Sequence, residues 1–356
     1  MEQEEILEIL KIIAPGTVLR EGIDNILNAK TGALIVISSN DEFFDIVDGG
    51  FKIDQDFTPA NIYELAKMDG AIIISKDVKK ILMANVQLVP DHKIKTNETG
   101  TRHRTAERVA KQTNELVICI SQRRGVITIF KGDFRYVVND ISSVLMRANQ
   151  MLEALEKYKL VFDNMLNILS EHEFDDIVSL ETVANIIYRS ELVMRMESEV
   201  RKNVIELGSE GRMVNMQLEE LIANVESEEK MIIRDYIKKN DSIEHVDKVL
   251  GSIRELDKKD LVNAERIIKL LEYEIDPNIL DLNVSPRGYR ILSKMPKMPA
   301  SIIDKTVEAF GSLQGVCAAS IDELDDVEGV GEVRAKIINQ SLRRLQEQYI
   351  LKGYNI

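Results

Sequence analysis

Cysteine is nearly absent from this chain: there are two in 356 residues, Cys119 and Cys317. Both lie in apolar stretches, and neither has the paired spacing of a zinc ligand set or a disulfide framework. That excludes a fold stapled by sulfur and points to a reducing cytoplasm. Also missing are a run of about 18 apolar residues and a basic start followed by an apolar stretch and a small-residue cleavage site. The chain therefore reads as neither membrane-spanning nor secreted. Positive charge is in deficit, with 46 Lys and Arg against 60 Asp and Glu and a formal net charge of -14. This excludes a protein coated all over for nucleic acid, but the charge is uneven. From Pro286 onward ten Lys or Arg meet nine Asp or Glu, a balance of +1 that leaves the remainder at -15. Only that tail suits a phosphate backbone. Of the four histidines, His92, His172 and His245 have no ligand-like partners in sequence and read as surface or turn residues.

The length allows two or three domains with cores of their own, and the pattern changes twice. Residues 1–140 alternate helical and strand patterns. Glu2–Ile13 reads as an acidic amphipathic helix stopped by Pro15-Gly16, and Ala60–Lys67 and Thr105–Gln112 show helical spacing. Ala33–Ile37, Ala71–Ser75, Val86–Val89, Leu116–Ile120 and Val126–Phe130 are short Ile- and Val-rich runs that predict strands. Gly49-Gly50 and Arg124-Gly125 mark turns, the second joining two antiparallel strands. The expectation is an α/β domain with a mixed sheet flanked by helices. Residues 141–284 are almost wholly helical in pattern, with no proline from Ile141 to Tyr273. Ser142–Leu169, Ser179–Leu207 and Met213–Lys239 predict long helices in an elongated all-α bundle or spine. Met194, Met196, Met213 and Met216 there suit core or subunit-contact packing better than a promiscuous groove. Asp276-Pro277 and Ser285-Pro286 punctuate a linker, and residues 285–356 follow as a small all-α domain.

Two polar clusters stand among the apolar runs of the first stretch. Asp69-Gly70-Ala71 precedes Ile72-Ile73-Ile74, an interior-strand pattern, so the Asp69 carboxylate emerges at a sheet edge that a divalent cation can reach. Gly100-Thr101-Arg102-His103-Arg104-Thr105 opens a helix. It places two guanidinium groups, an imidazole and two hydroxyls beside free backbone amides that favour phosphate. Together the clusters read as one metal-and-triphosphate site. Arg-His-Arg alone reads equally as a solvated first turn.

In the tail, Leu324-Asp325-Asp326-Val327-Glu328-Gly329-Val330-Gly331 leads into a helix beginning Glu332-Val333-Arg334-Ala335-Lys336. Gly329 and Gly331 supply the dihedrals of a tight hairpin and let backbone amides approach a phosphate, while Val330 pins the hairpin to the core. With Phe310-Gly311-Ser312-Leu313 and Ala319–Leu324 before it, the segment resembles the helix-hairpin-helix motif of proteins that bind DNA without sequence preference. Such units also dock proteins. Leu292–Pro299 has the same apolar spacing, with Lys297 and Pro299 in place of the glycines, and reads as a degenerate first hairpin without direct phosphate contact. Arg334, Lys336, Arg343 and Arg344 attract DNA whereas Asp325, Asp326, Glu328 and Glu332 oppose it, so binding is expected to be weak and strongly salt-dependent.

The run Glu64–Ala71, the run Gly100–Arg108 and then Ile120-Ser121-Gln122-Arg123-Arg124 resemble the diadenylate cyclase family. The order of cyclase domain, helical middle and hairpin tail extends the resemblance from end to end, to family members with a DNA-binding C-terminal domain. The resemblance implies condensation of two ATP into cyclic di-AMP with release of two pyrophosphates, using Mg2+ or Mn2+. It makes Asp69 the metal ligand, with a share in deprotonating the attacking hydroxyl where metal coordination does not suffice, and makes Arg102, His103 and Arg104 catalytic through the triphosphate, His103 by hydrogen bonding or by helping to hold the metal. The implied ATP contacts are Gly70, Ala71, Leu88, Gly100, Thr101, Arg102, His103, Arg104, Thr105, Ser121 and Arg124. Leu88 reads as either an adenine contact or ordinary strand packing. The implied DNA contacts are Gly329, Val330, Gly331, Arg334 and Lys336.

The product has two equivalent phosphodiester linkages related by a two-fold axis, so two half-sites must face each other and one subunit cannot close the ring. The family arrangement implied is an octamer. A cyclase joined to a DNA-binding tail implies a sensor whose output falls when branched or damaged DNA is engaged. The alternative is a DNA-binding scaffold that binds nucleotide without turnover. A hairpin-bearing nuclease would need a carboxylate cluster beyond Asp69, which the sequence does not offer.

Overall fold

The computed structural model describes residues 3–38, 40–239 and 241–353. Glu2, with which the first predicted helix opens, lies outside them. The chain divides into two compact units, Met1–Asn149 with Arg201–Asn215, and Gln150–Val200 with Met216–Ile356.

The first unit begins with helices α1 (Gln3–Ile13) and α2 (Val18–Asn28) and is built on eight strands. These are β1 (Ala33–Ile37), β2 (Val47–Asp48), β3 (Phe51–Asp56), β4 (Ala71–Ile74), β5 (Lys80–Leu88), β6 (Leu116–Ser121), β7 (Val126–Lys131) and β8 (Phe134–Val137). Helix α3 (Pro59–Leu65) precedes β4 and α4 (Thr101–Thr113) precedes β6. The sheet order is β2-β5-β4-β1-β6-β7-β8, with β3 also on β5. Only β1 and β4 run parallel, and the other pairs are antiparallel. The sheet is therefore mixed, as the sequence predicts.

All five residues of β1 are buried because side chains alternate between two covered faces. Ala33, Ile35 and Ile37 join Ile72, Ile74, Ile118 and Ile120 under α1, α2 and α3. Leu34 and Val36 join Ile73, Val117, Cys119 and Phe130 under Ala106, Val109 and Ala110 of α4. The predicted strands appear with small boundary shifts, except that β5 starts at Lys80, six positions before Val86. Asn85, with φ +54°, bends this strand and interrupts its apolar pattern from within. The short edge strands β2, β3 and β8 carry mixed exposure, a weak period-2 signal.

Helices α5 (Ile141–Asp175) and α6 (Leu180–Leu207) match the predicted long segments. The single helix expected over Met213–Lys239 is instead α7 (Arg212–Ile222) and α8 (Val225–Tyr236). Asn224 breaks it: its backbone leaves the helical region at φ -120°, ψ 1°, and its carbonyl accepts from Ser227 Oγ at 3.0 Å. Met213 and Met216 are exposed, so neither contributes to the core of the chain. Cys317, expected in an apolar setting, is exposed as well. His92 is exposed, but His245 is half-buried and lies 3.1 Å from Glu272.

Helices α9 (Ile243–Arg254), α10 (Lys258–Val262) and α11 (Ala264–Leu270) complete the middle of the second unit. Its C-terminal part comprises α12 (Tyr289–Ser293), α13 (Ala300–Phe310), α14 (Leu313–Ala318), α15 (Ile321–Asp325) and α16 (Gly331–Gly353) around one core. The buried Asp235 carboxylate accepts the Gly288, Tyr289 and Arg290 amides at 2.7, 2.7 and 3.0 Å, capping α12. Arg290, fully buried, donates to Glu173 and to Ser170.

Candidate active site

Strand direction decides which termini meet. Because β1 pairs parallel to β4 and antiparallel to β6, with Ala33 opposite Ile120, the starts of β1 and β4 and the end of β6 share one edge. The segments entering or leaving there are Gly32, Asp69-Gly70 and Ser121-Gln122. The β6–β7 turn containing Arg123 and Arg124 lies at the same end, because Ser121 faces Val126. So does Leu88, two residues beyond Val86, which faces Ala71. Helix α4 packs on β6 and β7 and brings its first turn over this edge.

Arg102 spans the edge. Its Nη2 lies 3.7 Å from Oδ1 of Asp69, whose side chain is fully exposed. A Cβ on Gly32 would come within 2.5 Å of Arg102 Nη1 and 3.3 Å of the Gln122 Cβ, so the guanidinium occupies the space that a side chain at position 32 would fill. His103 points elsewhere: its Nδ1 is 3.4 Å from Cys119 Sγ, and its ring meets Phe130 edge-on at 6.5 Å. Burial lowers the His103 pKa, Arg124 and Arg135 lower it further, and Glu98 opposes them. The imidazole is thus neutral near pH 7. Burial also pushes the Cys119 thiol up to about 12, so it stays protonated. Arg104 is exposed. Successive helical residues turn by about 100°, so Arg102 and Arg104 are roughly 200° apart around the axis and cannot face one point.

Gly100 caps α4 without a side-chain hydrogen bond, leaving first-turn amides free for an anion. Thr101 is exposed and Thr105 half-buried. The Arg124 amide donates to Ser121 Oγ at 3.3 Å. Ala71 and Leu88 are buried in the core on the α4 side of the sheet. The loop leading into α4 is tied to that helix: Glu107 accepts from Thr96 Oγ1 at 2.5 Å and the Asn97 amide at 3.1 Å, and Arg108 Nε donates to the Ile94 carbonyl at 3.0 Å. Sequence reading missed Gly32, Asn85, Glu98 and Cys119 as neighbours of this edge. Only Asn85, one of two amides in an otherwise mostly apolar strand, carried a local signal.

For a divalent cation, the residues fit one mode of binding. Asp69 offers an accessible hard oxygen, and among the described residues no group of three or more His, Cys, Asp or Glu forms a ready cage. That donor set suits a cation shared between one carboxylate and substrate phosphates.

The hairpin of the tail lies in the second unit. Gly329 and Gly331 both have positive φ, +87° and +63°, while Val330 between them is buried. Arg334 Nη1 donates to the Gly329 carbonyl at 2.7 Å, and Lys336 pairs with Glu332 at 2.5 Å. The upstream segment shares the first half of this turn: Lys297 takes φ +62° at the place of Gly329, but Pro299, at the place of Gly331, has φ -62°, and Met298, at the place of the buried Val330, is only partly buried.

The family described as DisA bacterial checkpoint controller nucleotide-binding matches residues 20–134, and that described as DisA bacterial checkpoint controller linker region matches residues 138–280. A DNA integrity scanning protein DisA of Carboxydothermus hydrogenoformans is 53% identical over 352 residues, covering 98% of this chain and 99% of that one. One from Acetivibrio thermocellus is 51% identical over 350 residues, covering 98% and 97%.

The chain belongs to the DNA integrity scanning protein family. As a DNA integrity scanning protein it is a diadenylate cyclase, and the nucleotide-binding match falls on the α/β unit that holds Asp69 and Arg102. Members of the DNA integrity scanning family use divalent metal ions. Among the described residues, no helix is long and apolar enough to cross a membrane.

Proposed function

We propose that the edge formed by Asp69, Gly70, Ser121 and the first turn of α4 is one half of the cyclase site. The observation that carries this is the approach of Arg102 to Asp69 at 3.7 Å, which puts a phosphate-binding fork beside an exposed carboxylate. Each step of the reaction joins a ribose 3′-oxygen to the α-phosphorus of the other ATP and expels pyrophosphate. Arg102 and the amides at Gly100 and Thr101 neutralise the triphosphate. His103, half-buried, offers an imidazole hydrogen bond. Ser121 and Thr105 contribute hydroxyls, and Arg124 and Arg104 add charge from the rim. Gly70 lets the chain carrying Asp69 pack directly against the β5 backbone, while Ala71 and Leu88 form an apolar floor for adenine. A Mg2+ or Mn2+ ion held by Asp69 would supply charge stabilisation at the reacting phosphoryl group.

Two such edges facing each other satisfy the two-fold symmetry of cyclic di-AMP, which requires a homo-oligomer, and we assign the octamer as its form. The division of labour is a cyclase domain over residues 1–140, a helical spine over 141–284 and a DNA-binding domain over 285–356, working in the cytoplasm. Gly329, Val330, Gly331, Arg334 and Lys336 would engage branched or damaged DNA, which lowers synthesis.

Incubating the protein with ATP and Mn2+ and detecting cyclic di-AMP by mass tests the first claim. Asp69→Asn is expected to abolish product while leaving the melting temperature unchanged, and undiminished synthesis by this variant would remove the assignment. Adding a four-way junction to the assay tests the coupling, which fails if saturating DNA leaves the rate unchanged.

A further inference from the structure

We propose that Asn85 is the positioning residue that aims the Asp69 carboxylate. Asp69 is fully exposed, so packing cannot orient its side chain, and apart from the 3.7 Å approach of Arg102 its direction is set by the backbone it leaves. That backbone is tethered one residue later, where Asn85 Oδ1 accepts the Gly70 N–H at 3.1 Å.

Two further observations mark this contact as built into the sheet. The first is a register shift between β4 and β5. Ala71 faces Val86 and Ile73 faces Met83, so two steps along β4 match three along β5. The surplus falls at Asn85, the one residue of β5 with positive φ, at +54°. Asparagine tolerates that conformation better than the residues around it, because its short amide can bond locally. The second is the approach of Gly70. A Cβ there would lie 2.4 Å from the Asn85 carbonyl carbon, 2.6 Å from its Cα and 2.7 Å from the Val86 nitrogen. Gly70 is thus wedged against the bulge by its missing side chain and held there by the Asn85 amide. The bulge re-aims the chain just before β4, which is what bulges beside active sites commonly do.

The proposal rests on the reading of Asp69 as the metal-holding carboxylate. Groups that hold a ligand from behind typically change metal affinity or activity about 10- to 100-fold when removed. Asn85→Gly keeps the backbone free to adopt positive φ and removes only the acceptor. Asn85→Asp keeps both the tolerance and an acceptor oxygen.

With purified full-length protein, Asn85→Gly is expected to raise the Mn2+ concentration for half-maximal cyclic di-AMP synthesis about tenfold. In metal-free protein the Gly70 amide should exchange with deuterium about tenfold faster, and Asn85→Asp should restore both readouts. An Asn85→Gly variant with wild-type metal requirement and wild-type Gly70 exchange would overturn the proposal. Run alongside, Asp69→Asn separates the two ideas. An inactive Asp69→Asn beside a normal Asn85→Gly sinks the positioning role alone, whereas an active Asp69→Asn sinks the reading of Asp69 and the positioning role with it.

Discussion

Asp69 Oδ1 and Arg102 Nη2 lie 3.7 Å apart, although 32 residues of chain separate them. The pair sits where β4 and β1 begin and β6 ends, with Asp69 fully exposed and Arg102 partly so. An exposed pair of this kind contributes little to folding, so both groups are free to serve a ligand.

Gly32 should matter through Arg102. A Cβ at position 32 reaches the far end of the flexible Arg102 side chain at 2.5 Å, which can yield, and stands 3.1 Å from the Ile120 carbonyl oxygen, which must give slightly, so Gly32→Ala is expected to fold with a modest loss of melting temperature. The displaced guanidinium should lower kcat/KM for ATP about tenfold, since misplacing a phosphate-clamping group by an ångström costs up to about 100-fold. Steady-state kinetics beside a thermal melt check both parts.

The loop before α4 should loosen in acid. Burial pushes the Glu107 carboxyl up, but hydrogen bonds from Lys111 and Thr96 outweigh it and hold the pKa below the usual 4.5. A depressed folded-state value means that stability is present above the unfolded pKa and lost as pH falls through the folded one. The protection of the Asn97 amide against deuterium exchange, measured relative to the intrinsic rate at each pH, is therefore expected to be high at pH 7 and to fall below about pH 4.5. Glu107→Gln should exchange faster at pH 7 and lose most of this pH dependence.

Breaking the buried ion pair of the second unit should be costly. Arg290 and Glu173 are both wholly inaccessible and in direct contact. Glu173→Ala would leave the buried guanidinium with only Ser170 and the more distant Glu228, 3.7 Å away, a change worth up to about 3 kcal/mol, the low end for similar pairs. Urea denaturation should show a lower midpoint, while replacing both residues by apolar ones of similar size should recover much of the loss.

Lys297 is the position to improve. It holds φ +62° in an exposed turn, where glycine costs less. Lys297→Gly is expected to stabilise the protein by about 0.5 kcal/mol, the left-handed penalty being partly offset by the greater freedom of glycine in the unfolded chain. An unchanged or lowered denaturation midpoint would count against the tandem-hairpin reading of residues 292–299.

The match between sequence and structure follows the range of the interactions involved. β1, β6 and β7 were legible because both faces are covered and their runs are apolar throughout or, in β7, interrupted only by the small, β-branched Thr128. The hairpin at Gly329 was legible because two glycines with positive φ bracketing a buried valine form a local pattern. The Asn224 break was not, because the apolar spacing continues through it. The middle of β5 was not, because Asn85 inserts a residue that shifts the period.

By itself, the sequence determined the α/β beginning, the helical middle, the glycine hairpin, and the two polar clusters of a nucleotide cyclase. These depend on residue type and on spacings of a few positions, which local sterics and burial decide. Only the tertiary structure decided that Arg102 turns to Asp69, that His103 turns to Cys119, that Arg104 faces solvent, and that Asn85 holds Gly70. These relations depend on the parallel pairing of β1 with β4, the antiparallel pairing of β1 with β6 and the rotation of α4 over them. No short segment encodes such pairings, because their free energy comes from burying surfaces that lie far apart in the chain.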